Sequence, residues 1–157
     1  MQVRLAIKLS ALTLAILLGI FFGMGFYTFY YAKGYSYLYD DPTVCTNCHI
    51  MRDQFDGWQK ASHHAYATCN DCHTPHALIP KYYVKMENGF HHSRAFTFQN
   101  FHEPIQIRPK NKHVLLDNCL RCHDNLVSQL VSVGSYHNQE TMDCVRCHGG
   151  VGHGPRE

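Results

Sequence analysis

Residues 44–51 read Val-Cys-Thr-Asn-Cys-His-Ile-Met, and the organisation of the whole chain follows from what Cys45, Cys48 and His49 do there. Two thiols at i and i+3 followed at once by a histidine form the C-x-x-C-H signature of covalent haem attachment. The thiols reach the two vinyl groups of one porphyrin, and the histidine is carried beneath the iron as an axial ligand. Three more copies follow: Cys69-Asn-Asp-Cys72-His73, Cys119-Leu-Arg-Cys122-His123 and Cys144-Val-Arg-Cys147-His148. A redox dithiol or a zinc half-site accounts for one copy. Zinc knuckles, however, do not require a histidine after each cysteine pair, and a disulfide framework would not draw all 8 cysteines into one pattern. Four covalently bound haems c are therefore expected. Their first cysteines stand at 45, 69, 119 and 144, so two similar di-haem units are joined by a longer insert.

Upstream of the first motif, Leu9 to Ala32 runs without a charged residue, which is long enough to cross a hydrocarbon core of about 30 Å at about 1.5 Å per residue. Arg4 and Lys8 precede the run and Asp40 and Asp41 follow it. Residues 1–8 are thus expected in the cytoplasm, 9–32 in the membrane as a signal-anchor, and 33–157 outside. The run is too long for an ordinary cleaved signal peptide, and no clear small-residue cleavage site follows it. Phe26, Tyr27, Phe29, Tyr30 and Tyr31, with Tyr35, Tyr37 and Tyr39 beyond, suit rings among lipid headgroups. Gly19 and Gly23 have the spacing of a close helix–helix contact, although two glycines in an apolar helix read at least as well without one; a homo-oligomer within a larger complex is a separate expectation.

The residues outside the membrane are poor in long apolar runs, so side chains alone would make a thin core. The porphyrins are expected to supply the rest. The predicted fold is mostly α with little regular structure: one N-terminal transmembrane helix, then a haem-packed multihaem cytochrome c domain. Covalent attachment of this kind belongs to the outer side of a bacterial inner membrane, in keeping with this topology. A formal net charge of +2 gives no sign of a nucleic-acid partner.

Each iron has two axial positions, and nine histidines lie outside the motifs: His63, His64, His76, His91, His92, His102, His113, His137 and His153. Several are expected as distal ligands, because paired histidines make a low-spin centre suited to electron transfer. Spacing does not say which. In the insert, residues 80–92 (PKYYVKMENGFHH) predict a helix with Pro80 in its first turn. Tyr82, Met86 and Phe90 form an apolar stripe; Lys81, Lys85, Asn88 and His92 form a polar one. Such a helix lies apolar face down in the headgroup layer, or packs on a haem with its lysine face in water. A membrane-tethered haem protein most naturally exchanges electrons with the quinone pool, and quinol oxidation needs proton acceptors as well as an iron. Lys85 (if burial favours its neutral form) and His92 are the candidates. Residues 96–112 hold two prolines and no periodicity, which predicts a loop over the haems with Phe96, Phe98 and Phe101 as packing. In the glycine-rich tail His153 stands out as a distal ligand.

These features together resemble the NapC/NirT family of membrane-anchored tetrahaem quinol dehydrogenases. The resemblance covers nearly the whole chain: one anchor, four motifs at these spacings, C-H-x-M at the first, and a lysine-bearing helix after the second. It looks closest to the members that form the small subunit of a cytochrome c nitrite reductase. The resemblance implies menaquinol oxidation at haem 1 and electron delivery to a periplasmic multihaem nitrite reductase catalytic subunit, with nitrite chemistry on that partner. Supply to a reductase for nitrate, sulfite or an N-oxide is the alternative, as is a passive membrane-bound carrier.

By position, the resemblance makes Met51 the proximal ligand of haem 1, where the motif alone favours His49 and leaves Met51 as soft packing. It makes His73, His123 and His148 the proximal ligands of haems 2, 3 and 4, His153 the distal ligand of haem 2, and His64 that of haem 4, with His63 beside it as the alternative. For haem 3 it implies a sixth ligand from the partner subunit; His113 and His137 are the candidates within this chain. Lys85 matches the quinol-site lysine. Where the family pattern can carry an aspartate seven residues later, this chain has His92, either a proton acceptor or an iron ligand.

Overall fold

A computed structural model describes residues 2–130 and 143–154. Among them every regular element is helical. The chain clusters into two units, residues 1–36 and 37–157.

The first unit is dominated by α1 (Gln2–Tyr31), 30 residues and so about 45 Å long. It is long and apolar enough to cross a membrane once. None of its residues is buried against protein. The helix starts seven residues before the expected span, so Arg4 and Lys8 sit on its first turns rather than on a separate tail. A carbonyl ladder closed within the helix is the reason, since it satisfies the backbone there whether lipid or water surrounds it. Around Gly19 and Gly23 a side chain would meet open space. Gly34 differs: a Cβ there would stand 2.5 Å from the Phe29 ring, which explains the glycine where the chain turns out of the helix.

The second unit opens with short 3-10 segments at Pro42–Asn47 and His49–Met51, which lead into α2 (Arg52–Gln59). Then come α3 (Cys69–His73), α4 (Leu78–Phe98), α5 (Pro109–Leu130) and α6 (Cys144–Cys147). Among the described residues the buried apolar side chains are Ala61, Val84 and Leu116 alone, as thin a core as the composition led one to expect. Polar clamps hold the elements instead. Buried Asn118 on α5 donates to the carbonyls of Cys72 and Thr74, both at 3.0 Å, and pins the second motif to the third. Trp58 on α2 donates to Ala67 O at 2.9 Å, and Lys112 on α5 pairs with Asp143, the residue before α6, at 2.5 Å.

Two expectations for the insert are corrected. The helix runs six residues past His92, because nothing between His92 and Phe98 breaks it. It ends at Gln99, whose left-handed φ of 53° terminates the hydrogen-bond ladder. The next helix starts at Pro109, where a missing N–H does no harm, so the irregular segment is 99–108 rather than 96–112. The middle of the polar stripe is also the inward part of the helix, while His92 at its end is exposed. Lys85 is 4% exposed and Asn88 7%, whereas Tyr82, Met86 and Phe90 are exposed, so the lysine face is not solvated.

Candidate functional site

Each C-x-x-C-H copy has its own local backbone. In the second, α3 carries Cys69, Cys72 and His73 on one continuous turn, and Asp71 accepts from both the Thr68 N–H and hydroxyl, at 2.8 and 2.7 Å, to start it. The third lies inside α5, and the fourth is α6 with His148 as its cap. In the first motif the helix stops. Cys48 is extended (φ −92°, ψ 109°) between two 3-10 turns, so His49 starts a new turn instead of following the cysteines on the old one. His49 is exposed, its ring edge-on to Phe96 at 6.4 Å; Met51, two residues on, is half-buried.

None of the eight cysteines is engaged in a disulfide, so all are available for thioether formation. Consecutive motifs bring them within electrostatic reach. A shared hydrogen bond lowers Cys45 to about 7 and raises Cys69. Burial raises Cys72, with Asp71 and then Cys122 adding to it. Burial also raises Cys119 to about 11, with the Cys144 and Cys72 thiols contributing. The attachment points thus run in the order first, second, third, fourth motif.

Histidines remote in sequence meet the motif histidines. The rings of His73 and His153 are 6.0 Å apart, centroid to centroid, with planes 29° apart. A first-row metal stands about 2 Å from an imidazole nitrogen, itself about 1 Å from the ring centre, so two imidazoles sharing one iron have centroids about 6 Å apart. The pair fits that span. Burial, then His153, lowers the pKa of His73 to about 4, which keeps the ring neutral as a ligand must be. Residues outside the expected set hold His153. Its Nδ1 lies 2.9 Å from Gln54 O, and Gly57 admits its backbone so closely that a Cβ would stand 2.2 Å from His153 O. The next residue, Gly154, has φ +71°. His64 packs on Trp58, ring centroids 4.5 Å apart. His63 lies 6.0 Å from His123. His113 shares α5 with His123, ten residues and so about 15 Å along one axis, and cannot complete the same iron. His137 lies outside the described residues.

Around the lysine of α4, Nζ of Lys85 donates to Tyr39 O at 2.8 Å, Asp40 Oδ1 at 2.9 Å and Leu38 O at 3.4 Å. Lys81 also pairs with Asp40. Hydrogen bonds from Lys81 and then Lys85 lower the half-exposed Asp40 to about 2. One carboxylate and two carbonyls thus surround the Lys85 Nζ. Asp40 opens onto a polar cleft lined by Asn70, Asp71, His76 and Lys81. His92 lies near the surface; partial burial, then Arg108 and His91, lower its pKa below the usual histidine value. Its ring is 6.5 Å from Tyr37. Tyr37 is half-buried, and burial plus the Cys45 and Cys48 thiols raise it to about 12. Sequence reasoning missed Asp40, Gln54 and Gly57. Asp40 carried a signal only as an acidic residue past the anchor, and the other two carried none.

Against known proteins, residues 6–157 match the model of the NapC/NirT cytochrome c family, N-terminal region. The cytochrome c-type protein NrfH of Wolinella succinogenes is 34% identical over 92% of this chain and 84% of its own length. The cytochrome c nitrite reductase subunit NrfH of Nitratidesulfovibrio vulgaris is 32% identical over 73% of this chain and 68% of its own. A chain in the crystal structure of the cytochrome c nitrite reductase NrfHA complex bound to the inhibitor HQNO superposes with a TM-score of 0.61 at 29% identity, covering 90% of this chain and 92% of that one.

Proposed function

The chain belongs to the NapC/NirT cytochrome c family, and on that premise we propose that it is the membrane-anchored quinol dehydrogenase of a nitrite-reducing complex. It oxidises menaquinol beside the first motif and delivers the electrons, by way of four haems c, to a periplasmic nitrite reductase catalytic subunit. The relatives named as NrfH and the match to a chain of the NrfHA complex support the partner. α1 anchors the chain in the bacterial inner membrane, with residues 1–8 cytoplasmic and 33–157 periplasmic. Each haem, once attached, takes up and gives back a single electron.

The observation that carries the reading is the burial of Lys85 against Asp40 on the helix beside the first motif. Replacing a buried ion pair by apolar side chains is often neutral or stabilising, so a lysine kept in this place points to a role beyond packing. Here it offers a quinol oxygen a charged donor, in exchange for the weakest of its three contacts, the Leu38 carbonyl at 3.4 Å. Asp40 keeps the charge balanced and links the site to water. Quinol gives up two protons with its two electrons, and neutral His92 is the base that takes them one at a time, passing the first to water at the exposed surface before the second. Met51 is the protein ligand of haem 1, and the exposed Leu78, Tyr82, Met86 and Phe90 of α4 face the headgroup layer.

Stopped-flow reduction of the purified protein by a reduced menaquinone analogue tests this in the haem Soret band, alone and with the reductase subunit bound. Fast reduction that HQNO blocks is the expected result. Haems that respond to dithionite but not to quinol in either state would leave a passive carrier.

A further inference from the structure

The two positions that the second C-x-x-C-H motif leaves open, Asn70 and Asp71, have different partners. Asp71 caps its own helix through Thr68. Asn70, half-buried on the same turn, reaches a segment 30 residues earlier in the chain. Its Nδ2 donates to Asp40 Oδ1 at 2.7 Å and lies 3.4 Å from Tyr39 O. A carbonyl and an ionised carboxylate only accept, so the amide faces them with its nitrogen. Lys85 rests on the same two oxygens, its Nζ lying 2.9 Å from Asp40 Oδ1 and 2.8 Å from Tyr39 O. Asn70 and Lys85 thus share both acceptors, one reaching them from α3 and the other from α4.

Without help, the Asp40 carboxylate would turn freely. It lies outside any helix and its side chain is 52% exposed, so water competes for it. Lys81 and Lys85 both hold it from α4. Asn70 adds a donor from a second element, the turn that carries Cys69 and Cys72. In the function proposed above, Lys85 gives up the Leu38 carbonyl to meet a quinol oxygen and keeps its other two contacts. The oxygens it keeps are those that Asn70 fixes, so they form the pivot about which the amine turns.

We propose that Asn70 is a positioning residue for quinol oxidation: its amide holds the Tyr39 carbonyl and the Asp40 carboxylate, and through them sets where Lys85 meets the substrate. This role rests on the quinol reading of Lys85, and it ties the quinol site to the attachment turn of haem 2.

The test is stopped-flow reduction of the full-length, haem-loaded protein by a reduced menaquinone analogue over a range of concentrations. Asn70→Asp is isosteric, withdraws the donor and sets a carboxylate against Asp40. It should raise the half-saturating quinol concentration roughly 10-fold, more than it lowers the limiting rate, with dithionite reduction and the haem count unchanged. Combining Asn70→Asp with Asp40→Asn re-forms an amide–carboxylate bond across the same gap and should recover most of the loss, which a turn merely distorted by the substitution would not do. Asn70→Ala removes the donor without adding charge and reads the same way, more weakly, should the aspartate hinder haem loading. Normal quinol kinetics in both Asn70 variants, with wild type reduced by quinol, overturns the proposal and leaves the quinol reading standing. So does a double variant whose two losses simply add, because Asn70 then acts independently of Asp40. A wild type that dithionite reduces and quinol does not, with or without the reductase subunit, defeats the quinol reading itself and this role with it.

Discussion

In the second attachment motif Cys69, Cys72 and His73 ride one unbroken turn of helix, with His153 brought to His73 from the far end of the chain. In the first, the helix ends at Cys48, His49 turns outward, and Met51 lies on the next turn. The three fixed letters of the consensus are identical in the two, so it is the backbone, continuous in one and interrupted in the other, that sets them apart. Where the turn is unbroken, the histidine is carried on the cysteines' own helix. Where it is broken, the following residues compete for the position, and α4 closes over the same region with its lysine inward. On the function proposed above, one motif holds an iron from both sides and the other leaves room for chemistry.

The sharpest way to break this contrast is at Lys85. Lys85→Leu should slow reduction by quinol roughly 100-fold or more while dithionite reduction is unchanged, as stopped-flow traces would register. Normal quinol kinetics would make the first motif an ordinary relay. On the other side, Gly57→Ala sets a methyl group 2.2 Å from His153 O. It should destabilise the fold by about 1–3 kcal/mol in denaturant titration and turn haem 2 high-spin in its resonance spectrum.

Asn118 sharpens the comparison more mildly, since it serves the second motif without touching the first. Asn118→Ala leaves the Cys72 and Thr74 carbonyls without their donor, a loss of about 1–3 kcal/mol in the same titration, with quinol kinetics retained. The smallest effect is a slope in pH. A histidine held below its ordinary value of 6.5 is neutral, and able to accept a proton, above that lowered value. The quinol rate should therefore hold through neutral pH and fall only as pH drops below the ordinary histidine range, and His92→Asn should abolish this acid limb. Asp40 acts lower still. Its contribution to stability is full above about 4 and is lost as pH falls towards about 2, measurable as an acid-unfolding shift in Asp40→Asn.

The haem attachment sites and the anchor were legible in the sequence because their chemistry is local. Two sulfurs and a histidine within five residues, or a score of apolar residues in a row, need no distant partner to declare themselves. The insert helix was legible in type and not in extent, since its end depends on one residue, Gln99, adopting a left-handed backbone. Its inward face was legible only as a stripe: periodicity separates two faces and cannot tell which one a neighbour covers. Asp40 and the carbonyls of Leu38 and Tyr39, contributed from 45 to 47 positions earlier, decided that.

The sequence by itself thus determined that this is an anchored cytochrome c with four attachment motifs of the NapC/NirT kind. Only the tertiary structure decided which histidines meet across an iron's span and which way Lys85 points. Attachment is written within one turn of chain, whereas His63 and His153 are brought to their places by carbonyls 88 and 99 residues away. Separations of that length leave no periodic trace in the sequence, because nothing but the packed fold relates the two ends.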